Sequence, residues 1–188
     1  MNSGFKTITT VAVLGAAVFL SACESAEVKA ERIAAEQAAL AVCDAESVVG
    51  LDAFTLDLPA LAGSAEAFHN SLADKDGVST LPSGLQYSVV QSGNSNGPIP
   101  LPEQVVRVNY HGVFPNGEKF DSSFDRGEPS EFPLNRVIRG WTEGVGLMRP
   151  CDAWTFYIPA DLAYGPKGRP GIPGGASLVF HVQLLEVK

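Results

Sequence analysis

Through the second half of the chain, apolar and polar residues alternate as they do in half-buried strands. From Gln104 to Phe114, Val105, Arg107 and Asn109 stand against Val106, Val108 and Tyr110, the period of two that sends successive side chains to opposite faces of a sheet. Leu85 to Gln91 alternates in the same way, Ser130 to Leu134 and Cys151 to Ile158 read as strands, and Ser177 to Val187 is the last, with Leu178, Phe180, Val182 and Leu184 on one face. Turn residues separate these runs. Ser92 to Pro102 is a loop rich in Gly, Pro, Ser and Asn, and Pro115-Asn116-Gly117 predicts a hairpin turn before a return strand over Gly117 to Asp121, because Asn-Gly supplies the positive φ angles of tight hairpins. Thr142 to Leu147 is the only stretch of this half predicted to be helical, at about two turns. A mostly antiparallel sheet with one short helix packed on it is an α+β arrangement.

The first half is patterned differently. Glu27 to Val42 is rich in Ala, Glu, Leu and Gln, all good helix formers, and carries only a modest apolar stripe of Val28, Ile33, Ala34, Ala38 and Ala41, as expected of a solvated or loosely docked helix. Residues 44–80 have no firm period. Ala60 to Ala73 is a second helix candidate, and Asp74 to Gly77 reads as a turn. Before these, Lys6 precedes an uncharged run from Ile8 to Leu20 and then Leu20-Ser21-Ala22-Cys23. A charged start, a short apolar run and a small-residue cleavage site read as a secretory signal. The run falls short of the ~20 residues that a membrane span needs. Leu-Ser-Ala-Cys resembles the bacterial lipobox, which implies that residues 1–22 are removed and that Cys23 carries acyl chains. Glu24, where inner-membrane retention uses Asp, favours the outer membrane. The chain thus divides into a signal over 1–22, an acidic and partly helical segment over 23–79, and a domain over 80–188.

Charge and cysteine content narrow the chemistry. The whole chain has a net charge of −8, carried almost entirely by residues 24–80, with 11 acidic and 3 basic residues against 10 and 9 in 81–188. Neither part is basic, so nucleic acid is not an expected partner. After Cys23, two cysteines remain, Cys43 and Cys151. An even remainder in an oxidising compartment suggests a disulfide, against two separate thiols as the alternative. A bridge here closes a loop of about 108 residues, worth ~4–5 kcal/mol in the chain-entropy model. None of His69, His111 and His181 has a cysteine or carboxylate at metal-ligand spacing, so no metal site is indicated. There is no G-x-S-x-G elbow and no phosphate loop. Asp121 and Asp125 read as structural hydrogen-bonding groups in a turn rather than as a catalytic pair.

What the second half offers instead is aromatics beside turns. Phe120, Trp141 and Tyr164 each end an element next to Gly or Asp, positions that face pockets more often than mid-strand positions do. Trp141 opens a short helix just past Gly140, with an N–H that asks for a partner. N-Y-H-G at 109–112, F-D-S-S at 120–123, V-I-R-G-W-T-E-G at 137–144, L-A-Y-G-P at 162–166 and A-S-L-V-F-H-V-Q-L-L at 176–185 resemble, in order and spacing, the FKBP-type peptidyl-prolyl cis-trans isomerases. T-L-P-S-G-L-Q-Y at 80–87 is similar to the start of their bacterial extracytoplasmic branch, which includes the macrophage infectivity potentiators. The resemblance covers residues 80–188.

It implies an antiparallel sheet wrapped around one short helix, with Trp141 as the floor of an apolar pocket. Tyr110, Phe120, Val137 and Phe180 are then walls, joined by Phe132, with Ile172 closing one side. The Ile138 N–H and the Tyr164 hydroxyl hold substrate carbonyls, and Asp121 sits at the edge, tied to Tyr110 and Arg126. The implied activity is isomerisation of X-Pro bonds in proline-containing polypeptides without cofactor or metal, with macrolides as possible inhibitors. A non-catalytic module that holds such chains in the same pocket is the alternative. The sequence departs from the family at Arg169, where the best-known members have histidine, and at Ser130, where many eukaryotic members have an aromatic wall residue. Residues 24–79 are too short and broken for the long dimerising helix of many infectivity potentiators, so a monomer is expected.

Overall fold

The structure is a computed structural model that describes residues 25–54 and 64–188. The signal, the lipobox and Cys23 lie outside the described residues, as do the first residues of the helix expected from Ala60.

Nearly every predicted strand forms within a few residues of its expected bounds. In chain order the strands are β1 (Val78–Thr80), which the sequence pattern did not predict, β2 (Gln86–Gln91), β3 (Val105–Val113), β4 (Lys119–Ser122), β5 (Ser130–Pro133), β6 (Ala153–Ile158) and β7 (Leu178–Val187). They make one antiparallel sheet in the order β1-β2-β6-β7-β3-β4, and β5 pairs with the first half of β3 while β4 pairs with its end. The two longest strands lie side by side, with Tyr110 opposite Val182 and Gly112 opposite Phe180. Both are Val-rich, as suits a pleated and buried surface.

The inner face of the sheet carries Val106, Val108, Trp154, Phe156, Ile158, Val182 and Leu184 in one apolar core. The helix α4 (Arg139–Val145) lies on it, starting three residues before the predicted Thr142. A Cβ at Gly140 would meet Ile158 Cγ2 at 2.6 Å, and one at Gly144 would meet Phe156 Cε1 at 2.5 Å. Spaced four apart, the two glycines share one helix face. That bare strip lets the backbone settle on β6, and Trp141 turns to the side, over the space between helix and sheet. The expectation of a single helix in this half needs one correction. Ser123–Arg126 forms an extra turn, α3, held down by the buried Ser123 hydroxyl, which accepts the Tyr110 N–H at 2.8 Å.

The outer face is covered by the first half of the chain. The helix α1 (Ala26–Leu40) is capped by Ser25 and buries none of its residues. The chain then crosses to β7: Cys43 N–H donates to Leu185 O at 2.6 Å, and Val187 N–H donates to Ala41 O at 3.0 Å. Cys43 and Cys151 form a disulfide with Cα atoms 4.8 Å apart. Phe54 lies on the His181 ring at 4.9 Å. The helix α2 (Ala65–Ala73) buries Phe68 and Leu72 against Val113, Tyr157 and Val179. Packing therefore runs continuously across residue 80.

Candidate active site

Between α4, the inner face and the loop before β7 lies a cavity of about 430 Å³. Trp141 forms its floor. The rings of Tyr110, Phe132 and Phe180 stand edge-on to the indole, at centroid distances of 5.4, 5.8 and 5.2 Å and interplanar angles between 82° and 90°, the arrangement that sets the positive edge of one ring against the negative face of another. Phe120 continues the wall by meeting Phe180 edge-on at 5.3 Å. Both rings close over Gly112, where a Cβ would lie 2.7 Å from Phe120 and 2.9 Å from Phe180. The glycine of N-Y-H-G is thus the space that the two aromatics fill. The Trp141 N–H, expected to find a partner, is buried with none among the described residues, so the indole presents an apolar surface.

Polar groups are few and placed at the rim. Tyr110 donates its hydroxyl hydrogen to Asp121 Oδ2 at 2.6 Å, and Arg126 donates to Asp121 Oδ1 at 2.7 Å, to the Tyr110 hydroxyl at 2.9 Å and to Ser130 Oγ at 3.0 Å. Burial alone would raise the pKa of Asp121, but the bonds from Tyr110 and Arg126 and the Arg126 charge outweigh it and hold the carboxyl below its ordinary range. Burial, reinforced by the bond to Asp121, raises Tyr110. Neither group is poised to exchange a proton near neutral pH; they brace one another. Two donors at the wall are uncommitted: the Tyr164 hydroxyl and the N–H of Ile138, the residue before the first turn of α4, make no hydrogen bond among the described residues.

Comparison with known proteins bears on this cavity directly. The family model for FKBP-type peptidyl-prolyl cis-trans isomerase matches residues 97–185. A peptidyl-prolyl cis-trans isomerase from Pseudomonas syringae, known from its crystal structure, is 34% identical at a TM-score of 0.61, over 65% of this chain and 90% of that one. The chain belongs to the FKBP-type peptidyl-prolyl cis-trans isomerase family. Among curated relatives, the FKBP-type peptidyl-prolyl cis-trans isomerase FkpA of Aeromonas hydrophila is 50% identical over 62% of this chain and 42% of its own length. Outer membrane protein MIP of Legionella longbeachae is 40% identical over 65% and 52%. The chain spans about half the length of these curated relatives.

Within the FKBP-type domain, Tyr110, Phe120, Asp121, Phe132, Val137, Ile138, Trp141, Tyr164 and Phe180 all line the cavity. Arg126 does not line it and acts through Asp121 and Tyr110. Ile172 requires a correction. It does not line the cavity but is buried in the core, where it and Arg169 exchange backbone hydrogen bonds of 2.9 Å. Arg169 lines the cavity instead, its guanidinium 4.6 Å from the Tyr164 ring centroid. Arg136, which motif reading passed over, also lines the cavity. Its only sequence signal is its place directly before V-I-R-G-W. Ser130, lacking an aromatic ring, serves as an acceptor for Arg126.

Proposed function

We propose that this protein accelerates cis-trans isomerisation of X-Pro bonds in polypeptides, acting through the cavity over Trp141. The observation that carries the reading is an apolar, aromatic cavity with two unspent donors, the Ile138 N–H and the Tyr164 hydroxyl, at its wall. The barrier to be lowered is roughly 20 kcal/mol and arises from amide resonance, which polarises the C–O and C–N bonds. Water stabilises that polarised planar state. A prolyl ring seated on Trp141 between Tyr110, Phe120 and Phe180 leaves this water behind, and the two donors hold carbonyl oxygens so that the twisted amide is bound more tightly than the planar one. Asp121 and Arg126 fix the Tyr110 ring and take no proton from the substrate. The domain over 80–188 carries the reaction, and no metal or cofactor enters it.

The place of action is the cell envelope. The lipobox at 20–23 supports a lipid anchor on Cys23, the name of the Legionella relative points to the outer membrane, and the disulfide suits an oxidising compartment. A protease-free assay of proline isomerisation on the purified protein, with and without a macrolide, tests the activity. Acceleration above the uncatalysed rate that the macrolide suppresses is the expected result; binding of proline peptides with no acceleration would favour the holding module instead.

A further inference from the structure

Charge is distributed unevenly around the cavity. The protein is acidic, at −8, yet the charged side chains that line the cavity are Asp121, Arg136 and Arg169, and Asp121 is already paired with Arg126 at 2.7 Å. Among the described residues, two guanidinium groups at the mouth are left without an ion-pair partner. Arg136 makes no side-chain hydrogen bond or ion pair among the described residues, and Arg169 touches only the face of the Tyr164 ring, a contact that leaves its N–H donors available.

Both arginines stand on anchored backbone. Arg136 ends a single 3₁₀ turn that begins at the fully buried Leu134. Leu134 N–H donates to Gln104 O at 2.9 Å, and Leu134 O accepts from Thr142 Oγ1 at 2.7 Å. Arg169 is held by its two backbone bonds to the buried Ile172. With the backbones fixed, binding has only side-chain freedom left to restrict.

We propose that Arg136 and Arg169 are specificity residues that favour substrates with a carboxylate side chain beside the proline. This rests on the isomerase reading above. The aromatic walls take the prolyl ring, and the two arginines act on its neighbour. Residues 81–188 are nearly neutral, with 10 acidic and 9 basic residues, so the selectivity comes from this mouth and not from the overall charge of the domain.

Two series of short peptides on the purified protein test it, with Glu, Gln or Lys placed before the proline in one and after it in the other. In at least one series kcat/KM should fall in the order Glu, Gln, Lys, with a Glu-to-Lys ratio of about 3- to 10-fold, the size expected of exposed charge pairs. The difference should lie in KM rather than kcat and shrink toward unity at about 0.5 M salt. In the Arg136→Glu/Arg169→Glu double variant the order should invert; because the ratio is taken within each protein, any general loss of turnover cancels. A flat order in both series, or one that the double variant leaves unchanged, overturns the proposal while turnover of the Gln peptides upholds isomerase activity. No turnover of any peptide sinks both.

Discussion

The two faces of the sheet are buried by opposite means. The inner face is apolar and aromatic, and the Nε1 atoms of Trp141 and Trp154 are buried there without hydrogen-bond partners among the described residues. The outer face buries polar side chains and bonds them. His69 joins Gln86 at 2.7 Å and Ser177 at 3.1 Å; Thr155 joins His181 at 2.8 Å; Gln183 receives the Val49 N–H at 3.1 Å and donates to Ser47 O at 2.9 Å. The difference follows from what each face must do. A cavity that strips water from an amide has to be apolar. A segment such as residues 41–54, with little hydrophobic pattern of its own, is placed by directional bonds that only one register satisfies. The exception is His181, whose Nε2 has no partner among the described residues.

The largest effect should separate the faces energetically. Phe156→Ala empties the centre of the inner core and is expected to cost ~3–5 kcal/mol, whereas Phe54→Ala should cost only ~1–2 kcal/mol, because the loss is limited to what holds the arm in place. Urea denaturation gives both values, and hydrogen exchange should show residues 41–54 opening first in Phe54→Ala. Equal losses, with the strands and the arm opening together, would make the two faces one energetic unit and break the comparison.

Acid should attack the outer face first. Burial, with a smaller contribution from the neighbouring His111, pushes the pKa of His181 down from 6.5 to about 4, and burial also lowers His111 and His69. The folded state therefore binds fewer protons than the unfolded chain. Stability is fully present above pH 6.5 and declines as pH falls toward 4, by up to about 3 kcal/mol from His181. A His181→Phe variant should lose less stability than the parent between pH 7 and 4. If the two decline in parallel, the outer-face histidine does not set the acid limit.

Smaller effects lie at the rim of the inner face. Asp121→Val frees Tyr110 and Arg126 from their acceptor and should lower kcat/KM about tenfold, the scale of a lost charged hydrogen bond. A fall of 10³-fold or more in a folded variant, with a pH profile that tracks a carboxylate in the parent, would mean obligatory proton transfer and contradict the desolvation mechanism. Tyr164→Phe removes one donor from an unchanged wall and should cost several-fold, about 1 kcal/mol, with no measurable change in melting temperature. An unchanged kcat/KM would remove that hydroxyl from the mechanism.

Local pattern determined much of this protein. The alternation in β3 and β7, the Asn116-Gly117 turn and the ordered motifs around Tyr110, Phe120, Trp141 and Tyr164 were legible because each depends on neighbours in the chain: a period of two, a turn's φ angles, an aromatic at the end of an element. Contacts between distant segments decided the rest. The start of α4 was obscured because Gly140 and Gly144 are poor helix formers, and only their fit against Ile158 and Phe156 makes them an asset. The alternation of β7 gave it one apolar face but could not say that Phe54, Phe68 and a disulfide from the unpatterned first half cover the other. Ile172 lies in the core and not at the cavity, next to a backbone closure made by two hydrogen bonds with Arg169 that no hydrophobic period announces. Periodicity encodes which side of an element is apolar; which surface meets it is settled only when remote segments compete to bury the same area.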